Sequence, residues 1–361
     1  MHMSKYKRYS ATRGVQKTSS LRRGFFSVLF VGLMVFGLYS GVFTSSSQNA
    51  ADQSQAVSRQ DASAEDLEEI PGITGFMPWP GYGSSAYAVP KTKLFAMSDD
   101  TAQSVPIASL TKVITALAVL DKYPLEPDEQ GPMITLTEED VKLYHEYRSK
   151  DGVVVPVEVG AQISLHQALQ AAMMMSANNM TDTLVKWAFG SMDEYVAYAN
   201  EMLRDMELDE TVVADASGFS PFSVSTAKNM TILGHKYMQN PVLREISMQE
   251  KATIPIAGVI QNYNSFANEN GIVGIKIGYT DEAKRTYMAA DIDYDGGDID
   301  GISIAVVLGA EDFSSAAKDA RAILKAGNSN SSDNGTSGAN SNSNGNSNSN
   351  SSQRRANPNR P

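Results

Sequence analysis

The 361-residue chain contains no cysteine. Disulfide bridges, thiolate metal sites and a lipidated N-terminal cysteine are therefore excluded. Histidine is almost as scarce. His2, His145, His166 and His235 are the whole complement, and none stands at a metal-ligand spacing from another or pairs with a nucleophile. No metal site is expected among them. Positive charge is short in the body of the chain, where residues 70–326 hold 19 Lys/Arg against 34 Asp/Glu, a balance of −15. Phosphates would be repelled by such a surface, so nucleic acid is not an expected partner.

Acid is missing from residues 1–23, which carry seven Lys/Arg, and charge of either sign is missing from residues 24–43. Twenty apolar residues in a helix span about 30 Å, the thickness of a bilayer core. A membrane anchor is expected there, with the basic head cytoplasmic and everything after Phe43 outside. The rival is a cleaved signal peptide, for which Asn49-Ala50-Ala51 supplies a weak cleavage site and which would leave a secreted chain. Residues 44–69 have few large apolar groups and are expected to be a linker. Residues 327–361, repeats of Asn, Ser and Gly, lack the material for a core and are expected to be disordered.

What the chain does have is a serine and a lysine three residues apart, Ser109 and Lys112, where a helix is expected to begin. That spacing puts both side chains on one helical face. A serine hydroxyl becomes a good nucleophile when a base takes its proton, and a partly buried lysine is neutral enough to do so. Taken alone, the pair reads equally well as a capping serine with a surface lysine. Ser176-Ala177-Asn178 follows 67 positions later and Lys276-Ile277-Gly278 another 100 positions on, in an apolar run that predicts a strand. This order is that of the Ser-x-x-Lys, Ser-Asp-Asn and Lys-Thr-Gly set of penicillin-recognising serine enzymes, with isoleucine as the departure at the middle of the third element.

Periodicity places these residues. Residues 85–89 and 94–97 predict two short strands, 109–120 a helix, and 138–147, 164–175, 178–189, 191–206 and 226–239 further helices. Strands are predicted again at 272–278, 287–292 and 302–308, with Asp295-Gly296-Gly297-Asp298 between the last two, and a closing helix over about 310–325. The fold class is thus α/β of the α+β kind: one sheet built from both ends of a domain at 70–326, with a helical insert over about 125–250.

From about Ser85 to Lys325 the chain resembles the low-molecular-mass penicillin-binding proteins, the serine-type D-alanyl-D-alanine carboxypeptidases. Beyond the three motifs, the similar stretches are Ala86-Tyr87-Ala88-Val89, Gly160-Ala161-Gln162-Ile163-Ser164, Asp215-Ala216-Ser217-Gly218-Phe219-Ser220-Pro221 and Gly274-Ile275-Lys276-Ile277-Gly278-Tyr279-Thr280. The resemblance implies a five-stranded antiparallel sheet flanked by helices, with the site between sheet and helical subdomain. It implies Ser109 as acylated nucleophile, Lys112 as its base and Ser176 as proton relay. It makes Asn178, Lys276, Gly278 and Thr280 substrate-binding, and the backbone N–H groups of Ser109 and Tyr279 the oxyanion donors. Peptidoglycan stem peptides and β-lactams are the implied partners, and no metal or organic cofactor is implied. Two alternatives stay open on the residues: a non-catalytic wall-binding protein, because Ile277 removes a hydroxyl, and a serine β-lactamase, against which stands the lack of a Glu-x-x-Leu-Asn loop between Asn178 and Lys276.

Overall fold

The computed structural model describes residues 67–69, 74–98, 103–293 and 299–337. The expected basic head, anchor and most of the linker (1–66), the Asp295–Asp298 connection and the tail beyond 337 lie outside the described residues. Among the described residues no helix is long and apolar enough to cross a membrane.

In chain order the elements are β1 (Glu68–Glu69), β2 (Ser84–Val89), β3 (Leu94–Met97), β4 (Val105–Pro106) and α1 (Thr111–Lys122). There follow β5 (Met133–Thr135), α2 (Glu138–Ser149), β6 (Gln162–Ser164), α3 (Leu165–Met174), α4 (Asn178–Phe189), α5 (Met192–Asp205) and β7 (Val224–Ser225). The last group is α6 (Ala227–Gln239), α7 (Pro241–Met248), β8 (Lys251–Ile254), β9 (Gly258–Gln261), β10 (Ile272–Thr280), β11 (Lys284–Asp291), β12 (Ser303–Ala310) and α8 (Phe313–Ser337).

The main sheet runs β1-β3-β2-β12-β11-β10. Its last five strands pair antiparallel as expected, but a sixth is present: β1 joins the far edge, parallel to β3 through Glu68↔Leu94 and Glu69↔Phe95. Two residues of the expected linker thus belong to the sheet. Period-two alternation explains why the central strands are apolar throughout. In β12, Ile304, Val306 and Leu308 face the helical core, while Ala305, Val307 and Ala310 face a second cluster closed by Ala316, Ala320, Ile323 and Leu324 of α8. Tyr87 and Tyr287 point to the α8 side, and Ala88 and Met288 to the other.

The helical insert packs α1, α3, α4, α5, α6 and α7 around one continuous core. Its helices start where the sequence supplies caps: Ser164 Oγ accepts from Gln167 N at 3.1 Å, and Thr226 Oγ1 from Asn229 N at 3.1 Å. In α5 the apolar stripe turns inward, with Tyr195, Ala199 and Leu203 buried.

Other elements depart from expectation. Helix α7 and the β8–β9 hairpin fill a stretch for which no element was predicted. The closing helix runs on to Ser337, beyond the expected end of the domain at 326. Local composition disfavours a helix there, and tertiary contact overrides it. A Cβ on Gly327 would lie 2.5 Å from the Tyr87 ring, while Asn328 accepts from Tyr87 Oη at 2.8 Å and donates to Asp291 Oδ2 at 2.9 Å.

Candidate active site

Ser109 lies in a tight 3-10 turn (Ala108–Leu110) just before α1 rather than in the α-helix itself. Ala108 has φ +47°, in the left-handed region that non-glycine residues rarely occupy, so the turn preceding the hydroxyl is strained. A neighbouring loop makes room for it: a Cβ on Gly218, at φ +72°, would stand 1.7 Å from the Ala108 carbonyl oxygen, so only glycine fits.

One turn on, Lys112 is 1 % exposed among Val113, Ile114 and Leu110. Its amine meets three oxygens: Ser109 Oγ at 3.1 Å, Asn178 Oδ1 at 2.7 Å and the Ser217 carbonyl at 2.7 Å. Two of these can only accept. They hold two N–H groups whether the amine is charged or neutral, which leaves the third direction for the serine. There, either the ammonium donates to Ser109 Oγ or the Ser109 hydroxyl donates to the amine lone pair. Burial pulls Lys112 down to about 7 from the usual lysine range, partly offset by the charges of Asp215 and Asp182.

Asn178 is the first residue of α4, and its backbone N–H donates to Val153 O at 2.8 Å. Ser176, two residues earlier, is buried and has φ +64°, a second left-handed non-glycine position at the site. Among the described residues its hydroxyl makes no hydrogen bond. The structure thus brings Ser109, Lys112 and Asn178 into one bonded cluster and leaves Ser176 unbonded beside Asn178.

Lys276 reaches the helical side of the sheet through a bulge. The β10–β11 register passes from Gly274↔Ala289 directly to Lys276↔Met288, which puts the extra residue Ile275 and Lys276 on the same face. Without it Lys276 would pair with Tyr287 and face α8. The Lys276 side chain is fully buried, and its amine donates to Ile277 O at 3.0 Å and Asn264 Oδ1 at 3.3 Å. Burial, and then the charge of Lys112, hold it well below the usual lysine range. Ile277 packs toward the α8 cluster, with its backbone N–H on Asn264 Oδ1 at 3.0 Å.

Gly278 closes against Ser109, since a Cβ there would lie 2.7 Å from Ser109 N. The backbone around the Ser109 N–H is thereby kept open, as an oxyanion donor requires. Tyr279 turns its side chain outward, stacked under the Arg285 guanidinium at 4.2 Å. Thr280 sits at the hairpin turn, where its Oγ1 accepts from Ala283 N at 3.1 Å.

Sequence reasoning passed over Ser217 and Asn264, although each holds a lysine amine. Ser217 stood inside the Asp215–Pro221 stretch that was singled out, so a signal existed. Asn264 lies where no element was predicted. Behind Ser217, Asp215 accepts from Ser217 Oγ, Ser223 Oγ and the backbone N–H groups of Phe219 and Ser220.

Residues 91–312, the span that carries all three motif elements, match the family model described as D-alanyl-D-alanine carboxypeptidase. The chain is 31 % identical over 189 residues to a D-alanyl-D-alanine endopeptidase of Pseudomonas aeruginosa, an overlap of 50 % of this chain and 57 % of that one. It is 25 % identical over 192 residues to a D-alanyl-D-alanine carboxypeptidase of Mycobacterium tuberculosis, covering 51 % of this chain and 62 % of that one. The chain thus spans less than two thirds of the length of either relative. Among solved structures, the Streptomyces K15 DD-transpeptidase superposes with TM-score 0.60 at 17 % identity, over 70 % of this chain and 98 % of that one. Penicillin binding protein 6B from Escherichia coli does so with TM-score 0.59 at 20 % identity, over 72 % and 81 %. These two likenesses establish the fold. With the Ser109 turn, the buried lysines and the third-motif strand all inside the matched span, the chain belongs to the D-alanyl-D-alanine carboxypeptidase family.

Proposed function

We propose that this protein is a serine-type D-alanyl-D-alanine carboxypeptidase acting on peptidoglycan stem peptides through an acyl-enzyme on Ser109. The observation that carries the reading is the Lys112 amine: 3.1 Å from Ser109 Oγ, with its two other contacts on oxygens that cannot donate. Ser109 Oγ attacks the carbonyl carbon of the penultimate D-alanine while its proton passes to Lys112. The backbone N–H groups of Ser109 and Tyr279 hold the oxyanion. As the C–N bond breaks, the proton goes to the departing D-alanine amine, with the Ser176 hydroxyl as relay. Water, deprotonated by Lys112, then cleaves the ester and Ser109 regains its proton. Asn178 aligns Lys112 and the substrate amide, and Lys276 attracts the terminal carboxylate.

Ile277 weakens this enzyme, because its side chain has no donor for that carboxylate. A hydrogen bond to a charged group contributes about 1.5–3 kcal/mol, or about ten- to a hundred-fold in rate. Residues 24–43 anchor the chain, with residues 1–23 inside and the catalytic domain, residues 70–326, outside. An intact N-terminus on chains recovered from membranes supports the anchor; a soluble mature chain starting near Ala50 overturns it.

Mass spectrometry of a stem pentapeptide incubated with the protein tests the activity, and loss of one D-alanine is the expected result. The endopeptidase among the relatives makes an internal D-alanyl bond the second substrate to try. Fluorescent penicillin separates the rival readings: a stable label on Ser109 supports the proposal, rapid release points to a lactamase, and no label to a binding protein.

A further inference from the structure

Asp182 is a buried carboxyl that no step above uses. It stands on α4 one turn after Asn178 and therefore on the same helical face, the face that meets Lys112. Its Oδ2 accepts from Tyr147 Oη of α2 at 2.7 Å, while its Oδ1 is buried with no partner among the described residues. An orphaned buried acceptor is costly and calls for an account. Tyr147 Oη also lies 3.4 Å from Ser217 Oγ, and Ser217 gives its carbonyl to Lys112. The contacts form a closed ring: Lys112 to Asn178, along one turn of α4 to Asp182, across Tyr147 to Ser217, and back to Lys112.

Tyr147 has one proton for two neighbours. When Asp182 is ionised, that proton belongs to the carboxylate, and the 3.4 Å gap to Ser217 holds none because the Ser217 hydroxyl donates to Asp215. When Asp182 is protonated, its O–H donates to Tyr147 and the tyrosine proton turns to Ser217 Oγ. We propose that Asp182 and Tyr147 are positioning residues that act through Lys112: they stand behind Asn178 and Ser217, which hold its amine, and the charge on Asp182 adds to that of Asp215 in the field there. The proposal rests on Lys112 being the base for Ser109.

The groups facing Asp182 are Tyr147 and Glu146 from α2, Lys112 from α1, Asp215 beyond Ser217 and the Tyr195 hydroxyl of α5. Lys112 in turn faces Asp182, Asp215 and Lys276. Burial raises the Asp182 carboxyl to about 7, the value to which burial lowers Lys112. Each charge favours the other, so the acid limb of acylation spreads over two coupled steps.

The test is the rate of fluorescent-penicillin acylation against pH for the wild-type chain, Asp182→Asn and Tyr147→Phe, with a melting curve for each. Asp182→Asn keeps an acceptor for Tyr147 and removes one of the two carboxylate charges, the other being Asp215, that favour protonated Lys112. Its acid limb is expected to move to lower pH by about half a unit or more and to narrow to a single ionisation. Tyr147→Phe removes one oxygen atom; it is expected to move the limb the same way by less and to lower the plateau rate about three- to ten-fold. Both variants losing only melting temperature, with wild-type pH profiles, overturns the proposal and leaves the base assignment standing. If Asp182→Asn fails to fold, the Tyr147→Phe profile decides alone. A wild-type chain that takes no label overturns this inference together with the function it rests on.

Discussion

At the scale of single residues, Ser109 and Lys112 are joined by a 3.1 Å contact, the path that the hydroxyl proton takes in the proposed acylation. Ser109→Ala is expected to abolish penicillin acylation, and Lys112→Ala to lower it by about 10²- to 10⁴-fold. The double variant should be no worse than Ser109→Ala, whereas independent multiplicative losses would show that Lys112 is not the base. Ile277, whose side chain packs toward α8, is the second position on which the proposed function turns. Its edge-strand backbone is already engaged, through its N–H on Asn264 and its carbonyl on Lys276, so only a side-chain donor can be added there. Ile277→Thr is expected to raise acylation and D-alanine release by about ten-fold, read as kcat/KM. No gain in that variant, with losses in Thr280, Lys284 or Arg285 variants, would place the carboxylate partner at the hairpin instead.

At the scale of elements, the end of α8 is where structure departs most from composition. Residues 327–337 are Asn-, Ser- and Gly-rich, poor material for a helix. The helix continues because Gly327 lets it lie on the Tyr87 ring and because the Asn328 side chain bridges Tyr87 to Asp291. Asn328→Ala is therefore expected to destabilise the domain by about 1–3 kcal/mol, and truncation after Lys325 by at least as much, in urea unfolding. Truncation after Ser337 should be close to neutral. Equal midpoints for all three would return residues 327–337 to the tail. The β10 bulge is the other decisive element, since it alone turns Lys276 from the α8 face to the site.

At the scale of the whole molecule, the site burdens the fold. Lys112 has a folded value of about 7, below the ordinary 10.5 of an unfolded lysine. Between those values the unfolded chain holds the extra proton, so stability falls as pH falls from 10.5 toward 7, and falls no further below that. Asp182 is raised from 3.8 to about 7, so the folded chain holds the extra proton between those values. Its contribution is full below 3.8 and is lost as pH rises through 7. The two effects meet near neutrality, where the pair costs the most. Lys112→Met should remove acylation and yet raise the melting temperature by about 2 °C or more at pH 7, with a smaller gain near pH 10. A lower melting temperature at pH 7 would mean that the hydrogen bonds to Asn178 and Ser217 outweigh the burial of the amine.

What the sequence by itself determined is what local geometry controls. Ser109 and Lys112 share a face because residues three apart in a helical turn must do so. The period-two runs of β2, β11 and β12 and the stripe of α5 announce their elements because burial on one or both faces imposes that spacing. Only the tertiary structure decided which groups hold the two lysines. Lys112 is gripped by the carbonyl of Ser217, and a backbone oxygen is carried by every residue type, so no sequence position advertises it. Asn264 caps Lys276 from a segment without periodicity, and the bulge that aims Lys276 is a matter of register between β10 and β11. The burial of Asp182 beside Lys112, one α4 turn beyond Asn178, depends on how α1, α2 and α4 pack, because the field at an amine is summed over neighbours that the chain brings together only when it folds.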